Sequence, residues 1–407
     1  MERPFPALTV TDKAARSLRG GHPWVYAGEV RTACDPCPDG EITDVFSTKG
    51  RWLGAGFYNS RSKIRVRVLT RSTNDMLDEP FFDRRVRYAV DYRRQVMGAD
   101  FAACRLIFGE ADGFPGWTVD RFGDVLVSEV LSLGIERRRE MLYAALRAAL
   151  ERHGVTVRVI YERNESPIRE KEGLACGKGP YAAPGLETEP SGHIEICENG
   201  IFYDVDYISG QKTGFFLDQK YNRAAAAKLA PGLRVLDCFT HTGAFALNCA
   251  AAGAASVTAV DVSADALRQA RRNAERNGLA GKIDFVQADV FDYLTQLAAG
   301  RERPFDYIIL DPPAFTKSSS TVEAARRGYR EINRRAMQLL PRGGYLATCS
   351  CSHFMTDELF RAMLADAAGD ASASLRQIEA RRQSPDHPIL WGVPETEYLK
   401  FYLFQVV

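Results

Sequence analysis

Four phrases between Val235 and Ser352 hold the side chains best suited to chemistry: VLDCFTHTGAF, AVDVSADAL, DYIILDPPAF and LATCSCS. Each is an apolar run ending in small, acidic or thiol-bearing residues. A buried parallel strand reads this way when it delivers side chains to the carboxyl edge of an open α/β sheet, where ligands bind. Asp237, Asp261 and Asp311 then share a rim with Cys349 and Cys351. A thiolate there can add to a ring carbon and later leave. Strand alternation points both cysteines the same way. Cys351, nearer the strand's end, is the expected nucleophile. Cys349 is expected to pack in the core, because buried cysteine behaves as a small hydrophobe.

The loop THTG after the first strand has one glycine, Gly243. A dinucleotide site would need three, so that backbone can crowd a pyrophosphate. A ligand without phosphate is expected instead, and a positively charged sulfonium donor suits the acidic rim. Asp237 is placed to orient its amino group and Asp261 to bridge two ribose hydroxyls, with Ser263 capping the next helix and Gly278 closing it. In DFVQADV, Asp289 and Val290 are expected at the third strand's end, facing an adenine amino group and ring. Together these residues imply S-adenosylmethionine in a Rossmann-like domain.

Asp311-Pro312-Pro313 stiffens the backbone past the fourth strand and suits Asp311 to gripping the polar edge of a flat base. Cytosine C5 is a poor nucleophile. A thiolate adding to C6 makes an enamine whose C5 attacks a sulfonium methyl; a base then removes the C5 proton and the thiol departs. DPP also occurs in enzymes that methylate exocyclic amines, with an aromatic directly after it. Here Ala314 intervenes before Phe315.

These strands need a scaffold. From Val235 onward strand and helix alternate, predicting a twisted parallel sheet covered on both faces, with EYLKFYLFQVV pairing antiparallel at or near an edge. Residues 1–73 read as a short helix, TDKAARSLRG, and Gly-punctuated β runs that close a small barrel. In Lys63–Val68 strict alternation puts Lys63, Arg65 and Arg67 on one face, free for phosphates. EPFFDRRVRYAVDYRRQVM is a linking helix. Residues 101–190 read strand–strand–helix–strand–strand, with turns at DGFPGW and Gly123-Asp124.

The chain of 407 residues is too long for one ordinary core, and its net charge of +1 does not by itself announce a nucleic-acid binder. No stretch approaches the ~18 apolar residues of a membrane span. Nine scattered cysteines do not form a secreted framework, so a cytoplasmic setting is expected. Cys34 and Cys37 make a CxxC in CDPCPDG, but no second pair completes a zinc set, and no metal is expected.

Taken together these residues resemble a family. HPWVYAGEV, GRWLGAGFYN, GEADGFPGWTVDRFGD, REKEGL, KTGFFLDQ, the four phrases above, DHP and YLK cover the whole chain. They resemble the bacterial large-subunit ribosomal RNA cytosine-C5 methyltransferases. The resemblance implies a PUA-like RNA-binding domain (1–73), a linker helix and α+β EEHEE domain (74–190), and a class I methyltransferase domain (191–407). It implies 5-methylcytidine formation in 23S rRNA, Cys351 as nucleophile, and RNA contacts from Lys63, Arg65 and Arg67. It adds Lys212, Thr213, Thr240 and Val262 to the donor-binding set. Self-association through the barrel is compatible with the sequence but not demanded by it. Two rival readings stay open: a purine or exocyclic-amine methyltransferase on this fold, and a non-catalytic assembly protein with a relic donor pocket.

Overall fold

The computed structural model describes residues 3–33, 36–300, 303–316 and 318–407. The chain divides into two compact units, one of residues 1–196, 205–217 and 385–396, the other of residues 197–204, 218–384 and 397–407. Cys34 of the CxxC pair lies outside the described residues. Among the described residues no helix is long and apolar enough to cross a membrane, and no cluster of His, Cys, Asp or Glu is arranged to hold a metal.

The first unit opens with a six-stranded sheet in the order Trp24–Tyr26, Ile64–Thr70, Trp52–Tyr58, Ile42–Ser47, Ala7–Val10, Val30–Thr32. Helix Asp12–Arg19, capped by Thr11, packs Ala14, Ala15 and Leu18 onto Val10, Val25, Val45 and Val66. Gly56 is required where strands cross closely: a Cβ there would lie 2.0 Å from the Arg67 carbonyl oxygen.

The basic row expected on strand Ile64–Thr70 is only partly a free surface. Lys63 is exposed and Arg65 is half-buried, donating to the Asn59 carbonyl. Arg67 is buried, its guanidinium 3.0 Å from Glu172 and 3.5 Å from Glu110. Arg67 is therefore corrected from a phosphate ligand to an internal ion pair, because acids far along the chain fill that end of the face.

The α+β part carries three strands before its helix rather than two. Ala103–Phe108, Trp117–Phe122 and Val125–Val130 precede Arg139–Glu151, and Val159–Asn164 and Gly177–Pro180 follow. The turns at DGFPGW and Gly123-Asp124 each cut the long apolar run. Linking helix Glu79–Met97 is capped by Asp78. It buries Arg93 against Asp112, at 2.5 and 2.7 Å.

The second unit is the alternating one. Its strands are β1 (Arg234–Cys238), β2 (Ser256–Asp261), β3 (Ile283–Gln287), β4 (Tyr307–Leu310), β5 (Tyr345–Ser350), β6 (Leu375–Arg381) and β7 (Lys400–Val406). They run in the order β3-β2-β1-β4-β5-β7-β6. The first five are parallel, and β7 is antiparallel to both neighbours, pairing Ser350 with Lys400. The helices are α1 (Lys220–Ala227), α2 (Ala244–Ala251), α3 (Ala264–Arg276), α4 (Val290–Ala299), α5 (Val322–Leu339) and α6 (Asp357–Asp370). Leu236, Ile308, Leu310 and Leu346 of the sheet pack against Tyr329, Ile332 and Phe360. The strand order reverses between β1 and β4, so their carboxyl ends open a crevice, as sheets of this kind require.

Candidate active site

Asp237 near the end of β1 is fully buried. Its Oδ2 accepts from the Thr240 hydroxyl at 2.5 Å and the Ala246 amide at 3.0 Å, while Oδ1 is buried with no partner. Burial pushes this carboxyl up to about 7, against the pull of those two hydrogen bonds. An orphaned oxygen on a buried acid loses hydration without compensation, and a cationic ligand would supply it. The loop that follows is sharply bent: Phe239, His241 and Gly243 all have left-handed φ, at 62°, 51° and 83°. Non-glycine residues in that region cluster at ligand clamps. Gly243 begins α2, and a Cβ on it would meet the Ala270 Cβ at 3.0 Å.

Asp261 holds this loop from β2, accepting from the His241 amide and the Ser263 amide, both at 2.9 Å. Ser263 caps α3 through the Ala266 amide, and Gly278 follows in the left-handed region. Val262 beside Asp261 is 67% exposed, an apolar side chain left open to a flat ring. An orphaned acid, a glycine cradle and an exposed valine fit a nucleoside carrying a positive charge.

Two expectations change. Asp289 does not end a strand. It is the N-cap of α4, one oxygen accepting from the Phe291 and Asp292 amides at 2.8 and 3.2 Å. Val290 is buried in the core. The strand stops at Gln287 because the local Asp-x-x-Asp sequence satisfies a helix start.

Asp311 follows β4. Gln219 Nε2 donates to it at 3.0 Å. Burial, aided by Asp218, pushes its carboxyl up to about 6, while Arg223, Cys349 and Gln219 oppose the rise. Cys349 is fully buried on β5, and burial with the adjacent Asp311 holds its thiol well up, in the neutral form. Cys351 lies just past the end of β5, half-buried, its Sγ 4.0 Å from the Pro312 carbonyl. Next to it the Ser352 hydroxyl donates to the Thr316 carbonyl at 3.2 Å, joining the two strand-end loops. Phe315 turns inward onto Tyr329, with ring centroids 4.6 Å apart.

Two residues of this site were not singled out from the sequence, Gln219 and Lys400. Lys400 starts β7, almost fully buried, its Nζ donating to the Ser352 carbonyl at 2.6 Å and the Tyr398 carbonyl at 2.7 Å. Burial lowers this ammonium to about 8, against the pull of Cys351. No local pattern in YLK marks a lysine that reaches to the neighbouring strand's end.

The family model for S-adenosylmethionine-dependent methyltransferases matches residues 174–405. The chain is an S-adenosylmethionine-dependent methyltransferase. A PUA-like domain model matches residues 8–71 of this methyltransferase. It is 40% identical over 405 residues to the ribosomal RNA large subunit methyltransferase I of Klebsiella pneumoniae strain 342, covering 99% of each chain. Identity to the protein of that name from Shewanella denitrificans is 43% over 389 residues, 95% of each. A methyltransferase structure from Streptococcus mutans shares the fold, with TM-score 0.81 over 98% of this chain and all of that one at 23% identity. Another, solved with SAH, has TM-score 0.82 at 22% identity and the same coverage.

In the methyltransferase, Asp237, Thr240 and Gly243 lie at the end of β1, Asp261 and Val262 at the end of β2, and Asp311 and Cys351 on the loops after β4 and β5. Lys212 and Thr213 belong to the first unit. There the Thr213 hydroxyl donates to Asp120 at 2.5 Å, and the Lys212 ammonium sits 4.7 Å from the centre of the Phe216 ring.

Proposed function

We propose that this methyltransferase makes 5-methylcytidine in large-subunit ribosomal RNA, with Cys351 adding to cytosine C6. The observation that carries the reading is the half-open thiol of Cys351 beside Pro312, on the loop next to Asp311. The RNA class rests on the relatives' names and the PUA-like domain. Residues 1–73, 74–190 and 191–407 serve as its RNA-binding, α+β and catalytic parts. When bound, the donor supplies an electrophilic methyl group. Asp237 would hold its amino end, Asp261 its ribose and Val262 a face of its adenine, with Lys212 and Thr213 assigned by resemblance.

The chain's own part is to raise C5 to a nucleophile. Lys400 donates to the carbonyl of Ser352, the residue after the attacking Cys351, and its positive charge favours the thiolate form. Addition to C6 forms a C–S bond and shifts the ring electrons onto C5. Asp311, with a carboxyl raised toward neutrality, shares a proton with the base's N3/N4 edge and steadies the adduct. After C5 carries the methyl, loss of the C5 proton to a base expels the thiolate. The inward turn of Phe315 supports the carbon reading, since an amine methylator uses an aromatic beside DPP to stack its base.

The test is incubation with labelled donor and undermethylated rRNA, followed by nucleoside analysis. Label in 5-methylcytidine that is lost in Cys351→Ser, with donor binding retained, is expected. Label in a purine, or a fully active Cys351→Ser enzyme, would overturn the proposal.

A further inference from the structure

Trp391 is 97% exposed, the most solvent-open large apolar side chain of the described residues. Its exposure is imposed by a fixed turn. The Val393 amide donates to the Leu390 carbonyl at 2.8 Å, and Thr396 Oγ1 bonds both the Leu390 amide (2.9 Å) and the Val393 carbonyl (2.7 Å). Farther back, Asp386 anchors the segment by accepting from the Arg105 amide at 2.8 Å. Gly392 touches Gly21 so closely that a Cβ would fall 2.9 Å from its Cα. Ordered exposure of a whole indole costs hydrophobic free energy and marks an interaction site when a complementary surface adjoins it.

Such a surface adjoins it. A cleft of about 460 Å³ is lined by Gly21, His22, Arg71, Arg85 and Leu390, together with Glu110 and Asp112. The two acids are already neutralised. Glu110 takes the Trp24 indole N–H at 2.9 Å and Arg67 at 3.5 Å, and Asp112 takes both Arg93 nitrogens. The two arginines make no such pair, although Asp75 lies near enough to Arg85 to favour its charge. Arg71 donates to the Leu18 carbonyl at 3.1 Å, and Arg85 to the Leu69 and Gly113 carbonyls at 2.8 and 3.1 Å, with no carboxylate ion pair for either among the described residues. Two guanidiniums beside an open aromatic face are the combination that binds unpaired nucleic acid, cations following the phosphates and bases stacking on the ring.

We propose that Trp391 and this cleft form a subsite for an unpaired nucleotide of the RNA substrate, its base stacked on the indole and its phosphates at Arg71 and Arg85. The proposal rests on the RNA reading above and adds the place and mode of contact.

The test uses the full chain and protein-free large-subunit rRNA, comparing wild type with Trp391→Leu, Trp391→Phe and Arg71→Met. RNA affinity, donor affinity, melting temperature and oligomeric state are measured for each. Trp391→Leu should weaken RNA binding about 5- to 100-fold while Trp391→Phe keeps most of it. Arg71→Met should reduce the slope of log affinity against log salt by about 0.7. KM for RNA should rise with kcat, donor affinity and melting temperature unchanged. Unchanged RNA affinity in both Trp391→Leu and Arg71→Met overturns the subsite while wild-type methylation leaves the RNA reading intact. A Trp391→Leu chain that binds RNA normally but changes oligomeric state would assign the indole to self-association and also overturn it. A wild type that neither binds nor methylates rRNA sinks both.

Discussion

Replacing Asp237 with asparagine should make the folded chain's stability less dependent on pH. Burial lifts the Asp237 carboxyl from 3.8 to about 7. At about 1.4 kcal/mol per pH unit, ionising it in the folded chain costs roughly 4 kcal/mol more than in the unfolded one. The sign follows from which state holds the proton. Below pH 3.8 both states are protonated and the wild type has its full stability. Between 3.8 and 7 the unfolded chain ionises first, so stability falls as pH rises; above about 7 the loss is complete. Asparagine keeps an acceptor for Thr240 and Ala246 and cannot ionise. Urea unfolding at pH 4.5, 6 and 7.5 should therefore show the variant gaining on wild type by roughly 3 kcal/mol across that range. Titration calorimetry should show wild-type donor affinity rising with pH up to about 7 and the variant binding weakly throughout. Parallel stability curves for the two proteins would refute the assignment of a proton to Asp237.

Lys400→Met should raise the pH midpoint for iodoacetamide alkylation of Cys351 by about one unit. It is best measured in a Cys176→Ser, Cys197→Ser background, since both of those thiols are exposed; an unmoved midpoint would remove Lys400 from thiolate stabilisation. Gly243→Ala should cost about 1–2 kcal/mol from its left-handed backbone alone, and more from the 3.0 Å approach to Ala270. Thermal unfolding with and without donor should show a lower melting temperature and a smaller donor-induced rise. Arg67→Met should destabilise by about 3–5 kcal/mol because it strands buried Glu172, and denaturant unfolding of an added Glu172→Gln should recover much of the loss.

The catalytic strands were legible because parallel strands buried on both faces leave unbroken apolar runs, as VLDC and YIIL do. The sharp turn after β1 was legible in its single glycine, Gly243. What failed had physical reasons. Alternation sorted the faces of Lys63–Val68, but Glu110 and Glu172, 43 and 105 residues from Arg67, decide that its charge is spent internally. At Asp289 a helix cap competed with a strand end, and the nearby amides of Phe291 and Asp292 won. Gln219 meets Asp311 across 92 residues of chain, and Lys400 meets Ser352 across 48. No local pattern encodes such meetings. Ahead of helix Arg139–Glu151 the turns at DGFPGW and Gly123-Asp124 were legible, but two turns separate three strands, one more than the two expected.

Strand β7 slots between β5 and β6, although both are synthesised before it. Until residues 400–406 are made, the edge of β5 that leads to Cys351 lacks its neighbouring strand. Lys400, the group proposed to favour the Cys351 thiolate, enters with that same strand. On the proposed mechanism, nucleophilic competence is thus tied to completion of the sheet, and a nascent or partly unravelled polypeptide would carry a thiol not yet armed.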